Sequence, residues 1–111
     1  MRISSGEQIF FFRNDSILRF EEAAGQSLIH FVDGKNLKIS ESIQSLENQL
    51  TDSGFIRIHE RHIVNVNCIT RISNSKEDFV ELSNGEVLPI NGKQKEIILE
   101  LITTHLEKNE V

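Results

Sequence analysis

The stretch FIRIHERHIVN, from Phe55 to Asn65, decides how this chain is interpreted, because it places two arginines and two histidines in eleven residues. The whole chain is acidic, with a formal net charge of -5. Between residues 53 and 76 the balance reverses, since four basic residues face the single acid Glu60. Segregated positive charge indicates a contact surface for an anionic partner such as a nucleic acid. The alternative for Arg57 and Arg61 is an edge strand whose charges discourage aggregation.

Length and composition predict one domain, residues 1–111. A chain of this length buries roughly two thirds of its unfolded surface and needs no staple to hold a core. Cys68 is the single cysteine, which excludes an intramolecular disulfide and a multi-cysteine zinc site. The sequence has neither an apolar run of the ~20 residues that a membrane span needs nor a signal peptide. We therefore expect a cytoplasmic domain without membrane contact, whose tail at residues 107–111 frays.

Short apolar and alternating runs separated by turn signals dominate the first forty residues and predict strands. These runs are 8–12, 17–20, 28–32 and 36–39. Asp33-Gly34 joins the last two of these runs, and Asn84-Gly85 joins two further runs at residues 79–82 and 87–90. Both dipeptides favour a type I′ turn, in which both central residues have positive φ. Pro89 cannot donate a ladder hydrogen bond, so its strand should end there or lie at an edge.

Two helices interrupt the strand pattern. Ser40 is the expected cap of the first helix, whose apolar stripe is Ile43, Leu46 and Leu50 and which stops at Gly54. The second begins near Asn91, with Gln94 as its capping partner three residues on. Its apolar residues at helical spacing are Ile97, Ile98, Leu101, Ile102 and Leu106. The result is a mainly β domain with one inserted helix and one C-terminal helix, a plan that implies no catalytic cleft.

The residues that could take part in catalysis or metal binding do not indicate an enzyme. His59 and His62 are three residues apart, and on an extended segment their rings would point to opposite faces, which disfavours a zinc site. Cys68 has apolar neighbours, which favour a small core residue over a nucleophile. Adjacent acids such as Glu21 and Glu22 favour a solvated surface over an acid/base pair. We expect no metal, no cofactor and no enzyme activity.

Lys93 and Lys95 stand at the start of the second helix, where cations face the positive end of the helix dipole. A phosphate bound there would make this arrangement favourable, because the free N–H groups and both ammonium groups would address it. The alternative is surface charge that the fold tolerates.

The stretch that opens this section, with the residues around it, resembles the LytTR family of bacterial DNA-binding domains. The family pattern F-x-R-I-H, then I-V-N, then spaced isoleucines is matched by Phe55, Arg57, Ile58, His59, Ile63, Val64, Asn65, Ile69 and Ile72. The resemblance extends to ILRFE at residues 17–21, to the helix at residues 45–50 and to VLPIN at residues 87–91. It therefore covers nearly the whole chain.

This resemblance implies an elongated, mainly β fold of about ten strands that binds double-stranded DNA through loops. Such loops enter two successive major grooves and contact the backbone between them. The resemblance also implies a bacterial transcription regulator, either as the effector domain of a response regulator in a two-component system or as a stand-alone regulator. Two copies on repeated half-sites and a receiver domain outside this chain are the expected partners.

Three loops match the family's contact regions: residues 25–27, residues 59–62, and residues 91–93 with Lys95. Gln26 can pair with adenine in the major groove, while the basic side chains suit phosphates. The DNA-binding residues that the resemblance implies are Gln26, Ser27, Arg57, His59, Glu60, Arg61, His62, Asn91, Lys93 and Lys95.

Two positions depart from the family's pattern. Where Glu60 stands the family more often has a basic or amide residue, so Glu60 either accepts a hydrogen bond from a cytosine or weakens binding. Gly92 replaces a polar reader, which leaves base recognition in this loop to Asn91 or Lys93. These departures keep open a protein-interaction module that has the fold but has lost DNA affinity. A small metal- or thiol-dependent enzyme is the other rival.

Overall fold

The computed structural model describes residues 1–73 and 75–109, and the side chains as far as Glu107. The described residues form ten strands and two α-helices within 42 × 35 × 25 Å. The strands are β1 (Arg2–Ser5), β2 (Gln8–Phe11), β3 (Ile17–Ala23), β4 (Gln26–Phe31), β5 (Asn36–Ile39), β6 (Phe55–His59), β7 (His62–Asn65), β8 (Ile69–Ile72), β9 (Phe79–Leu82) and β10 (Val87–Pro89). The helices are α1 (Ile43–Gln49) and α2 (Lys95–Asn109), with 3-10 turns at Asn14–Ser16, Val66–Cys68 and Gly92–Gln94. The predicted mainly β fold is confirmed.

Every strand pairing between these elements is antiparallel. One sheet has five strands in the order β5-β4-β3-β7-β6, a second has the order β10-β9-β8, and β1 pairs with β2. Pro89 ends β10 at the edge of its sheet, as expected.

The five-stranded sheet lies between two apolar clusters, and adjacent residues of β7 belong to different ones. Ile63 packs with Phe20 and with the apolar stripe of α1. Val64 packs with the three-stranded sheet and with Ile98 of α2. Because both faces of β7 are covered, its four residues are all buried, including the polar His62 and Asn65 at its two ends.

Asn65 at the end of β7 fastens several segments from inside the protein. Its side chain is buried and donates to the carbonyl oxygens of Asn14 at 3.2 Å and Ile17 at 2.9 Å. Its side-chain oxygen accepts from the N–H of Asn67 at 3.0 Å and so caps the 3-10 turn that follows. The asparagine of the I-V-N pattern is therefore a scaffold residue.

Both predicted hairpins are present, but the predicted turn type is wrong. At Asp33-Gly34 and Asn84-Gly85 only the glycine has positive φ, at 92° and 88°. Each glycine donates to the carbonyl three residues before it, in the pattern of a type I turn followed by a left-handed residue. Asp33 and Asn84 instead accept the N–H two residues on through their side chains. The dipeptides thus predicted the hairpins through a different geometry from the one found.

The turn with two positive φ angles joins β3 to β4. Ala24 has φ 52° and Gly25 has φ 81°, between the paired residues Ala23 and Gln26. This is the φ pattern that a type I′ turn requires. Alanine rarely adopts such a conformation, so the turn holds some backbone strain at Ala24.

The cap of α1 is Ser42 and not Ser40. The Ser42 hydroxyl accepts from the N–H of Ser45 at 3.1 Å, whereas the Ser40 hydroxyl lies 3.2 Å from that of Ser5. The predicted stripe is buried as expected: Ile43, Leu46 and Leu50.

The second helix has less of its apolar face covered than its sequence suggests. Ile98 and Ile102 are buried, but Ile97 is 60% exposed and Leu101 is 50% exposed. These two line a groove of about 760 Å³ between α2 and the α1–β6 connection. The backbone of α2 continues to Asn109, and the rest of the tail that was expected to fray lies outside the described residues. Neither helix is long and apolar enough to span a bilayer within the described part of the chain.

Candidate nucleic-acid interface

Three turns meet at one end of the five-stranded sheet. Because β3 runs antiparallel to both β4 and β7, the β3–β4 turn lies beside the β6–β7 turn. The N–H of Glu22 donates to the carbonyl of Arg61 at 2.9 Å, which joins these two turns. The N–H of Asn91 donates to the carbonyl of Ile58 at 2.8 Å and brings the 3-10 turn at Gly92–Gln94 to the same place. Residues far apart in sequence therefore form one surface.

The β6–β7 turn reverses the chain at Glu60 and Arg61, so His59 and His62 become cross-strand partners. Their ring centroids are 5.5 Å apart. The expectation that these rings point to opposite faces is wrong, since it assumed one extended segment. Among the residues that the structure describes, however, no group of three or more His, Cys, Asp or Glu side chains is arranged to hold a metal ion.

His62 lies inside the protein and not on the surface. Its side chain packs near Arg19, which pairs with Glu86 at 2.8 Å and with Glu21 at 3.5 Å. Burial, together with the charge of Arg19, lowers the pKa of His62 to about 4. His62 is therefore neutral at neutral pH and supplies no positive charge to a DNA surface.

The first expected loop is shorter than predicted, because Gln26 and Ser27 belong to β4. Ser27 is fully buried and donates to the carbonyl of Glu41 at 2.7 Å. Gln26 is half-buried beside the turn. The amide of Gln26 thus remains available to a ligand, whereas the hydroxyl of Ser27 supports the turn from inside.

Arg57 is committed to the fold through four hydrogen bonds. It donates to the side chains of Gln44 at 2.9 Å and Glu47 at 3.1 Å, both on α1. It also donates to the carbonyls of His59 at 3.3 Å and Glu60 at 2.8 Å. The guanidinium therefore holds the β6–β7 turn against α1, which makes Arg57 a positioning residue.

The other three cations are held less firmly. The Arg61 side chain is 60% exposed, and its Nε lies 3.4 Å from a carboxylate oxygen of Glu22. The Lys95 side chain is 18% exposed and lies 3.3 Å from Asp78. Lys93 is exposed and forms no ion pair with the part of the chain that the structure describes. Glu22, which was expected at the solvated surface, is partly exposed there and is the ion-pair partner of Arg61.

A polar depression of about 330 Å³ opens between the β6–β7 turn and the 3-10 turn. His59, Glu60 and Asn91 line it, together with Gln94 and the Arg57–Glu47 pair. Gln94 is a further residue that could contact a DNA base, although its sequence position suggested only helix capping. Its exposed amide beside Lys93 was the signal that could have identified it.

The carboxylate of Asp78 lies where a side chain at position 92 would be. A Cβ built there would lie 2.3 Å from Oδ2 of Asp78, so a larger residue would displace this carboxylate. Asp78 is also the partner of Lys95 and accepts through its carbonyl the N–H of Ile90 at 3.2 Å. The departure from the family's pattern at Gly92 therefore coincides with an acid in the space of the missing side chain.

Comparisons with known proteins agree with this architecture. The structure superimposes with a TM-score of 0.70 on a LytTr DNA-binding domain from a methyl-accepting/DNA response regulator of Bacillus cereus. The two chains share 19% identity over 93% of this chain and 94% of the other, a likeness that shows the fold. A search of curated proteins found no match.

The sequence decides the class of protein. The LytTr DNA-binding domain model matches residues 7–103, which is most of the chain. The protein therefore belongs to the LytTR family of DNA-binding domains. This membership gives its functional context, which is DNA binding.

Proposed function

We propose that this domain binds specific sequences in double-stranded DNA as the effector of a bacterial transcription regulator, and that it is not an enzyme. The observation that carries the proposal is the convergence of three turns at one end of the sheet, together with the family membership. Turns of this size, rather than a recognition helix, would enter successive major grooves. The domain would bind DNA in the bacterial cytoplasm, where the chromosome lies.

The base-reading residues in this proposal carry amide or imidazole groups. Gln26 and Gln94 each offer an amide, which is suited to the donor and acceptor pair of adenine. Asn91 offers its NH2 group as a donor, since its side-chain oxygen already accepts the N–H of Lys93 at 3.1 Å. His59 lies in the depression between the last two turns, where its Nδ1 accepts the N–H of Arg61 at 3.2 Å and its Nε2 is left to donate. Ser27 and His62 are outside this set because their side chains are buried.

Phosphate contacts are proposed for Lys93, Arg61 and Lys95. Lys93 is the leading candidate, since it is exposed and stands at the N-terminal side of α2. Arg57 is omitted because its donors are already occupied by α1 and by the turn carbonyls. Three contacts imply a log-log salt slope of roughly -3, at about -0.9 per phosphate.

The proposed partners beyond DNA follow from the family resemblance. A second copy would occupy a repeated half-site, since a surface made of a few turns reads only a short sequence. A receiver domain joined to this one would supply the regulatory signal. Protein assemblies on duplexes with one and two half-sites would be distinguished by their mass in solution.

A second candidate function has one observation in its favour. Several cations at the interface are already paired with acids of the same chain, as in Arg61–Glu22 and Lys95–Asp78. A protein-interaction module that has lost DNA affinity would tolerate this pairing at no cost. Absence of DNA binding at every salt concentration would support that module and overturn the proposed function.

The test is fluorescence anisotropy with a duplex selected from random DNA, measured from low to moderate salt. Lys93→Ala should weaken binding to the selected and to a scrambled duplex alike, because phosphate contacts carry no sequence information. Its slope should become shallower by about 0.9. Lys35→Ala is the matched control, since Lys35 is an exposed lysine in the turn at the opposite end of β4. A loss shared equally by both variants would contradict a phosphate contact at Lys93.

A further inference from the structure

We propose that Glu22 and Asp78 are internal competitors of DNA phosphate, which hold Arg61 and Lys95 in the free protein and must be displaced when DNA binds. The inference rests on the proposed DNA binding and deepens it. It assigns an affinity-limiting role to two acids whose sequence context suggests no function. Both belong to segments next to the three turns, not to the turns that would read bases.

The Glu22 carboxylate is fixed more firmly than its arginine partner. One of its oxygens accepts the N–H of Gly25 at 2.9 Å, inside the strained β3–β4 turn. Its other oxygen lies 3.4 Å from Nε of Arg61. The acid is 29% exposed and the arginine 60% exposed. Arg61 is therefore the partner that can move away toward a phosphate, while Glu22 stays in place.

The Asp78 carboxylate occupies the space that a side chain at position 92 would fill. Its Oδ2 would lie 2.3 Å from a Cβ at Gly92, and its Oδ1 lies 3.3 Å from Nζ of Lys95. A negative charge thus stands beside the 3-10 turn that carries the exposed Lys93. A phosphate that approaches this loop meets an acid that already neutralises one of its two lysines.

The strength of these pairs permits displacement. The Lys95–Asp78 pair is a single contact at 3.3 Å. Arg61 lies 3.4 Å from the Glu22 carboxylate and donates to the Glu22 carbonyl at 3.4 Å, so both of its contacts are long. Long, partly exposed pairs of this kind contribute little to stability. Arg57 differs, because four hydrogen bonds must break before it could leave. A carboxylate that loses its cation partner attracts a salt cation, which offsets part of the counterion release from DNA. The acids should therefore lower the affinity and flatten its salt dependence.

The experiment compares Glu22→Gln and Asp78→Asn with wild type on the selected and the scrambled duplex. Both substitutions keep the shape and an acceptor oxygen. Each should tighten binding to both duplexes by roughly three- to tenfold at low salt, where screening is weakest. Each should also steepen the salt slope. Glu81→Gln is the matched control, because it removes an acid from the ion pair with Arg71 at 3.0 Å on the three-stranded sheet.

A double-mutant cycle separates displacement from a general charge effect. In wild type, Arg61→Gln should weaken binding only about twofold, because the arginine must first leave Glu22. In the Glu22→Gln background the same change should cost roughly three- to tenfold, since the arginine is then free to meet phosphate. Equal costs in the two backgrounds would overturn the inference.

Failure of the proposed DNA binding and failure of the competitor role give different results. If wild type binds no duplex, the proposed function fails and the competitor role fails with it. If wild type binds and both acid variants behave like Glu81→Gln, DNA binding stands and the inference is overturned. If the acid variants bind more weakly and melt at lower temperature, Glu22 and Asp78 are structural partners, which also overturns it.

Discussion

The β6–β7 turn and the 3-10 turn at Gly92–Gln94 lie side by side, yet the fold fixes them to different degrees. The first is attached to α1 by the guanidinium of Arg57, and its two ends pair as His59 and His62. The second is attached through Asn91, whose N–H reaches Ile58 and whose side chain caps the turn. The first turn is built by internal bonds, while the second presents an exposed lysine.

This difference shows what the family's sequence pattern records. Phe55, Ile58, Ile63 and Val64 are all buried, and Asn65 is bound to backbone carbonyls. The residues that identify the family are therefore mainly those that build the scaffold of the first turn. The chemistry that would distinguish one DNA site from another lies between and beyond them, where the pattern is loose.

The largest effect is expected from a substitution in the β6–β7 hairpin, at the end of β7 away from the first turn. Asn65→Ala removes the donors to the carbonyls of Asn14 and Ile17 and leaves buried polar groups without partners. We expect a loss of about 2 to 3 kcal/mol in the free energy of unfolding, measured by urea denaturation. Asn67→Ala, at an exposed position two residues on, should change it by less than about 0.5 kcal/mol. Similar losses in both variants would show that Asn65 has no special role.

The second prediction tests whether the first turn rests on a neutral histidine. The folded state lowers the pKa of His62 from 6.5 to about 4, by burial and by the charge of Arg19. Between pH 6.5 and about 4, His62 is protonated in the unfolded chain but neutral in the folded protein. The free energy of unfolding therefore falls as pH falls through this window. The loss should be about 3 kcal/mol across this window.

His62→Gln should remove this slope in urea denaturation measured between pH 7 and 4. The acids nearby act in a lower range. Although burial alone would raise their pKa values, hydrogen bonds from His30 and Arg19 lower those of Glu21 and Glu86 below 4.5. Their stabilisation begins to be lost as pH falls through 4.5, so the effect of His62→Gln is clearest between pH 7 and 5. An unchanged slope in the variant would show that another group titrates in the window.

The third prediction sharpens the contrast between the two turns. Arg57→Lys keeps the charge but loses the fork that reaches α1 and two carbonyls at once. It should cost about 1 kcal/mol of stability and weaken DNA binding with an unchanged salt slope. Anisotropy over a salt series separates this positioning effect from the slope change expected for Lys93→Ala. A shallower slope for Arg57→Lys would mean that Arg57 meets phosphate itself.

The sequence predicted the architecture well because the architecture depends on local signals. Glycine dipeptides marked two hairpins, and apolar periodicity marked both helices. It placed the α1 cap at Ser40 instead of Ser42, because several serines near the start offer the same hydroxyl. It did not predict the exposure of Ile97 and Leu101, since burial depends on which neighbours arrive from distant segments.

The candidate site was less predictable, because its properties come from contacts between distant residues. Nothing local shows that Ser27 is buried under Glu41 or that Arg61 pairs with Glu22. Charge counting treated Arg57 and Lys93 alike, although one is bound by the fold and the other is exposed. The resemblance identified the three segments that meet, but the physical state of each side chain required their arrangement in space.

The smallest expected effect concerns Glu60, at the tip of the firmly held turn. Its backbone carbonyl is held by Arg57, while its side chain is exposed beside His59 and Arg61. With its backbone held and its carboxylate exposed, Glu60 can accept a hydrogen bond from the amino group of a cytosine. Glu60→Ala should then relax the preference at one base pair by about 1 kcal/mol and leave binding to scrambled DNA unchanged.

Repulsion of phosphate by Glu60 would produce a different result. The same substitution would tighten binding to every duplex, most strongly at low salt, where screening is weakest. A set of duplexes that each change one base pair distinguishes the two cases, because only base reading alters the profile. Glu60→Gln adds a control, since an amide removes the charge but still accepts a hydrogen bond. If it behaves like wild type on the selected duplex, the hydrogen bond matters; if it tightens binding to all duplexes, the charge does.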